Sequence, residues 1–104
     1  MSATLDDLLR PSDPKLRDFV ERCHTLSGRG TKPTLPEVRA LVAEFYAMED
    51  NGAGGSLHIV LDDHNTELYF IRSCQAYAAE NGDAAGVALA GVLLLLSGSQ
   101  RRKL

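Results

Sequence analysis

The chain has 104 residues, a formal charge of −3 and 44% hydrophobic residues, which together describe one globular domain of ordinary composition. They exclude a disordered or fibrous chain. The acidic balance speaks against a general nucleic-acid binder, which carries a basic excess on some face; the only basic cluster is Arg101, Arg102 and Lys103.

Aromatic side chains are scarce, with three Phe, three Tyr and no Trp, so Leu, Ala and Val must supply most of the core. The N-terminal segment carries Asp6 and Asp7 and no apolar stretch, and is read as lacking a secretory signal. The longest uncharged apolar run, 84–96, is shorter than the ~20 residues of a membrane-spanning helix. Cys23 and Cys74 are read as two free thiols on the apolar faces of helices, as in a reducing cytoplasm.

Residues 4–10 read as a short first helix, with Leu5, Leu8 and Leu9 on one side and Pro11 ending it. Asp13 then caps a helix that has Pro14 at its first position. Leu16, Phe19, Val20, Cys23 and Leu26 recur along it at three- and four-residue steps, up to Gly28. Residues 27–33 are a loop by composition. Thr34 and Glu37 match a capping box and open a helix with Val38, Leu41, Val42, Phe45 and Met48 on its apolar side.

Residues 51–65 read as a Gly-rich loop leading into a short irregular or extended segment. Ile59 and Val60 favour a strand, whereas Leu57, Val60 and Leu61 also fit a helical turn. An isolated strand has nothing to pair with, so a short helix or an apolar plug is the expectation. Asn65 or Thr66 caps the next helix, whose stripe is Phe70, Ile71, Cys74, Tyr77 and Ala78. Asn81-Gly82 closes it, and Asp83 caps the following one.

That following helix, 84–97, is apolar all round and must be covered on several sides. It is either the centre of the bundle or partly covered by another subunit. Its Gly86, Ala88, Ala90 and Gly91 permit close helix approach, and Leu89, Val92, Leu93 and Leu96 are the candidate oligomer interface. Residues 98–104 read as a polar tail with room for one more turn; this tail and 1–12 are the segments expected to be flexible. The expected fold is an all-α bundle, a single domain of about five helices around the 84–97 helix.

The densest group of ligand-type residues is His58, Asp62, Asp63, His64 and Asn65. On a helix His58 and Asp62 share a face at i,i+4; in an extended segment His58, Asp62 and His64 share one. Either arrangement suits a divalent ion or a proton shuttle, although the spacing matches no established metal motif. Asp62, Asp63 and Asn65 equally suit turns and helix caps. Arg29 and Lys32, within Gly28-Arg29-Gly30-Thr31-Lys32, suggest an anion cradle, but the full phosphate-loop pattern is missing and Pro33 follows at once. Arg72 is a further candidate for an anionic ligand. Cys23-His24 cannot act as a nucleophile–base pair, because adjacent residues on a helix point about 100° apart. Ser56 lacks the strand–turn–helix elbow of a serine hydrolase. No cofactor and no catalytic residue is assigned.

From Gly54 onward the chain resembles small accessory proteins encoded by tailed bacteriophages and prophages. The resemblance is carried by Gly54-Gly55-Ser56-Leu57-His58-Ile59-Val60-Leu61-Asp62-Asp63-His64-Asn65, then Cys74, Asn81-Gly82-Asp83, Gly86, Leu89-Ala90 and the Leu-rich end with Ser97 and Gln100-Arg101. Those proteins often have Gly where this chain has His64. The resemblance implies a protein made in the host cytoplasm that acts by binding. Its expected partner is a host defence protein or a small signalling nucleotide, and it is expected to form homo-oligomers. Two further readings are a small metal-dependent enzyme built on His58, Asp62 and Asp63, and a structural component of a virion.

Overall fold

Helix starts and stops written in the sequence set the architecture of the computed structural model, which describes residues 13–48, 57, 60, 61 and 67–104. The helices are α1 (Pro14–Gly28), α2 (Leu35–Ala47), α3 (Leu68–Glu80), α4 (Ala84–Leu93) and α5 (Gly98–Arg101). Leu57, Val60 and Leu61 are helical as well, and there is no strand among the described residues. The fold is the expected all-α bundle. The expected helix at 4–10 lies outside the described residues.

Each start has a chemical cause. The Asp13 carboxylate accepts from the Lys15 amide at 2.9 Å, with Pro14 at the first position. At α2 the Thr34 hydroxyl accepts from the Glu37 amide at 3.4 Å and the Glu37 carboxylate accepts from the Thr34 amide at 2.9 Å. Such boxes satisfy two of the amides that a helix leaves unpaired at its start. Glu67 occupies the N-cap of α3 without a side-chain cap bond; the expected caps Asn65 and Thr66 lie outside the described residues.

The α3–α4 turn is the tightest junction. Gly82 takes a left-handed φ of 71°. The Asp83 amide donates to Ala78 O at 2.8 Å and the Gly82 amide to Ala79 O at 3.4 Å, which is the pairing of a Schellman motif. Asp83 then caps α4, its Oδ1 accepting from the Gly86 amide at 3.0 Å.

α4 is the centre of the bundle and packs on α3, α1 and α2. Its Ala85, Leu89, Ala90, Val92 and Leu93 have no exposed surface and join Phe19, Val38, Phe45 and Ile71 in one core. Leu57, Val60 and Leu61 belong to the same core. The small residues act inside the chain: a Cβ at Gly86 would meet the Asp83 carboxylate and Ala78 Cβ, and one at Gly91 would meet Gln75. Burial of each Leu contributes about 1.5–3 kcal/mol.

One boundary changes. The central helix ends at Leu93, not at 97, and tightens through Leu95 N to Val92 O and Leu96 N to Leu93 O at 3.0 and 3.2 Å. Leu95 is consequently exposed, whereas Leu96 returns to the core. Residues 98–104 contain the further turn for which the sequence left room, as α5. Ser97 and Gln100 form a second capping box, and Arg101 is buried, donating to Leu96 O at 2.5 Å and Leu93 O at 3.3 Å. Its charge thus closes the carbonyl end of α4, where a cation is favourable. Arg39 holds the same segment from α2, donating to Lys103 O at 2.8 Å. No helix among the described residues is long and apolar enough to cross a membrane.

Candidate binding surfaces

His58, Asp62, Asp63 and Asn65, the strongest ligand candidates in the sequence, lie outside the described residues, as does His64. Among the described residues no group of three His, Cys, Asp or Glu side chains could hold a metal ion. Arg29 does not form an anion cradle. Its guanidinium grips the Glu37 carboxylate at 2.9 and 2.7 Å and also donates to Lys32 O at 3.2 Å. The acceptor that satisfies it is therefore the helix-capping carboxylate, held down at about 2 chiefly by Arg29. Lys32 and Arg72 are exposed, the first in the α1–α2 connection and the second on α3.

The candidate oligomer interface is corrected too. Leu89, Val92 and Leu93 have no exposed surface and Leu96 only 4%. They are the chain's own core, because three neighbouring helices already cover α4. Helical periodicity identifies an apolar side chain but not which neighbour buries it.

The thiols differ. Cys23 is buried in the core and desolvation pushes it up to about 12, so it is inert as a nucleophile. Cys74 is half-buried and raised by the same cause.

A groove of about 310 Å³ runs between α1 and α2, with Leu26, Ala40 and Leu41 along it. Arg22 and Glu44 join across it in a two-pronged ion pair, one prong being 2.6 Å. Glu37, tied to Arg29, stands at its edge. Sequence reasoning does not find these pairs, since Arg22–Glu44 and Arg29–Glu37 meet only once the helices are side by side. Their charges are mutually satisfied, so the groove offers an apolar floor and a neutralised rim.

The more unusual surface is on α3. Its sequence suggests one stripe, Phe70, Ile71, Cys74, Tyr77 and Ala78. The fold splits it: Ile71 and Ala78 are buried, whereas Phe70 and Tyr77 are 41% and 53% exposed. Tyr69 is 73% exposed and stands edge-on to Phe70 with ring centroids 5.6 Å apart. Leu68 is exposed beside them. Only Phe19 and Phe45 of the chain's six aromatics are buried, and they pack together between α1 and α2.

No protein-family model, curated protein or solved structure matches the chain.

Proposed function

We propose that this chain is a non-enzymatic accessory protein of the phage type, which acts by binding a host protein through the exposed face of α3. One observation carries the reading. A chain with six aromatic residues leaves three of them, Tyr69, Phe70 and Tyr77, exposed on a single helix. Aromatic rings on a surface are the residues that interfaces favour, since they offer a large apolar area at little conformational cost. The resemblance from Gly54 onward supplies the context of a host cell and a defence protein as target.

The test is capture from host lysate with the wild type and with Tyr69→Ser/Tyr77→Ser, both checked for fold by circular dichroism. A protein retained by the wild type and lost from the variant supports the reading. Equal retention by both refutes it.

Sequestration of a small signalling nucleotide is a second reading, favoured by one arrangement on the same helix. Tyr69 and Arg72 stand three residues apart on α3, both exposed, where a base could stack on the ring and a phosphate meet the guanidinium. Mass spectrometry of small molecules released on denaturation separates the two readings. Self-association, which would bring further cations to such a ligand, is tested by light scattering.

A further inference from the structure

The charges around the α3 face point to the kind of segment that docks on it, an inference that rests on the host-protein reading above. Phe70, Ser73, Cys74 and Tyr77 follow i, i+3, i+4, i+7 spacing, which forms one continuous stripe on a helix. It borders the buried line of Ile71 and Ala78 but faces outward at Phe70 and Tyr77.

Glu67 and Glu80 stand at its two ends. Both are exposed, and neither takes part in an ion pair among the described residues. Glu67 sits at the N-cap, yet its side chain makes no capping bond. Glu80 is the last residue of α3, and no basic residue shares that turn. A carboxylate there faces the negative end of the helix dipole, which is unfavourable. Glu80 therefore does nothing for the local structure of α3, and Glu67, though favourably placed at the positive end of the dipole, spends no hydrogen bond on it. At 1.5 Å per residue they are about 20 Å apart, with the stripe between them. Arg72, the one cation on the helix, lies roughly 140–160° around it from Tyr77 and Phe70.

We propose that this face takes a basic amphipathic helix of a protein partner. Apolar side chains of that helix cover Phe70 and Tyr77, and a Lys or Arg at each end meets Glu67 and Glu80. Guanidinium groups also suit the faces of exposed tyrosines. A second copy of the same face is a poor occupant. Two-fold pairing of α3 with itself, in full overlap, sets Glu against Glu whether the helices run parallel or antiparallel.

The test uses two synthetic helical peptides of about 18 residues with the same leucine-rich face. One carries arginines about 20 Å apart flanking that face, and the other carries glutamates there. Fluorescence anisotropy and stopped-flow binding are measured for the wild type and for Glu67→Lys/Glu80→Lys. The wild type is expected to prefer the arginine peptide by about tenfold or more, with an association rate that falls as salt rises. The charge-reversed variant is expected to invert that preference. Equal affinity for both peptides, binding of neither, or a preference unchanged by the charge reversal overturns the inference. If the lysate partner still depends on Tyr69 and Tyr77 in that case, the binding reading stands and only the charge of its partner is wrong.

Discussion

Replacing Arg101 with Met tests how the centre of the fold is closed. The Arg101 guanidinium donates to Leu96 O at 2.5 Å and Leu93 O at 3.3 Å, and the residue is 8% exposed. Met retains the long stem and its packing but donates nothing. A hydrogen bond to a charged group contributes roughly 1.5–3 kcal/mol, and a buried carbonyl left unpaired costs about 1–3 kcal/mol. The 3.3 Å bond is long, so the shorter one dominates. Removing a charge from a buried site gives some of this back, because the guanidinium no longer has to be desolvated. The orphaned carbonyl cannot be compensated by a thioether, so loss wins. The expected destabilisation is about 2–4 kcal/mol, which in a domain of this size lowers Tm by about 10–25 °C. Arg101→Lys should fall between Met and the wild type, since an ammonium can reach one carbonyl. Urea unfolding gives the free energies directly, provided the slope is unchanged. A Met variant within about 0.5 kcal/mol of the wild type, the range of ordinary surface substitutions, would show that Arg101 does not close α4.

Three other outcomes are expected. Gly86→Ala drives a methyl group into the Asp83 carboxylate and against Ala78 Cβ, and urea unfolding should show a loss of about 1–3 kcal/mol where Ala normally stabilises a helix. The Glu37 carboxyl, held at about 2 by Arg29, should remain ionised in a ¹³C NMR titration down to that pH. Because its folded pKa is depressed, the stability it contributes is fully present above the unfolded value near 4.5. That stability is lost as pH falls through about 2, and Glu37→Gln should abolish this part of the pH dependence. In native protein at pH 8, a thiol reagent should modify Cys74 first and reach Cys23 only after unfolding, as burial and a pKa of about 12 require; equal rates would contradict the core position of Cys23.

Much of the backbone was legible in the sequence because helix termini are local. Asp13-Pro14, Thr34 with Glu37, and Gly82-Asp83 each act within a few residues, and each does what its chemistry predicts. Ser97-Gly98-Ser99-Gln100 is the same kind of signal as Thr34 to Glu37. It fixes the start of the further turn for which the tail left room. What was not legible is non-local. The burial of Arg101 depends on α5 folding back over the end of α4. The separation of Phe70 and Tyr77 from Ile71 and Ala78 depends on how far α4 reaches around α3. The central place of 84–97, by contrast, was legible, because a helix apolar all round must be covered on several sides, and α1, α2 and α3 cover it. For the candidate site the split is sharper still. The His58 to Asn65 cluster draws attention by composition alone, whereas the α3 face is visible only when burial is known residue by residue.

The distribution of ties also divides the molecule mechanically. α3 and α4 are locked by a short turn, by the Asp83–Ala78 backbone bond across it, and by the close approach of Gly86 to Ala78. α1 and α2 lean separately on α4 and touch through Phe19 and Phe45. Across their outer seam the polar ties are two guanidinium–carboxylate forks beside an open groove. Salt weakens such exposed forks and leaves the α3–α4 hairpin untouched. The aromatic face is thus carried by the half of the molecule whose ties do not depend on salt. The partner proposed for α3 would therefore meet the tied hairpin and not the salt-sensitive seam between α1 and α2.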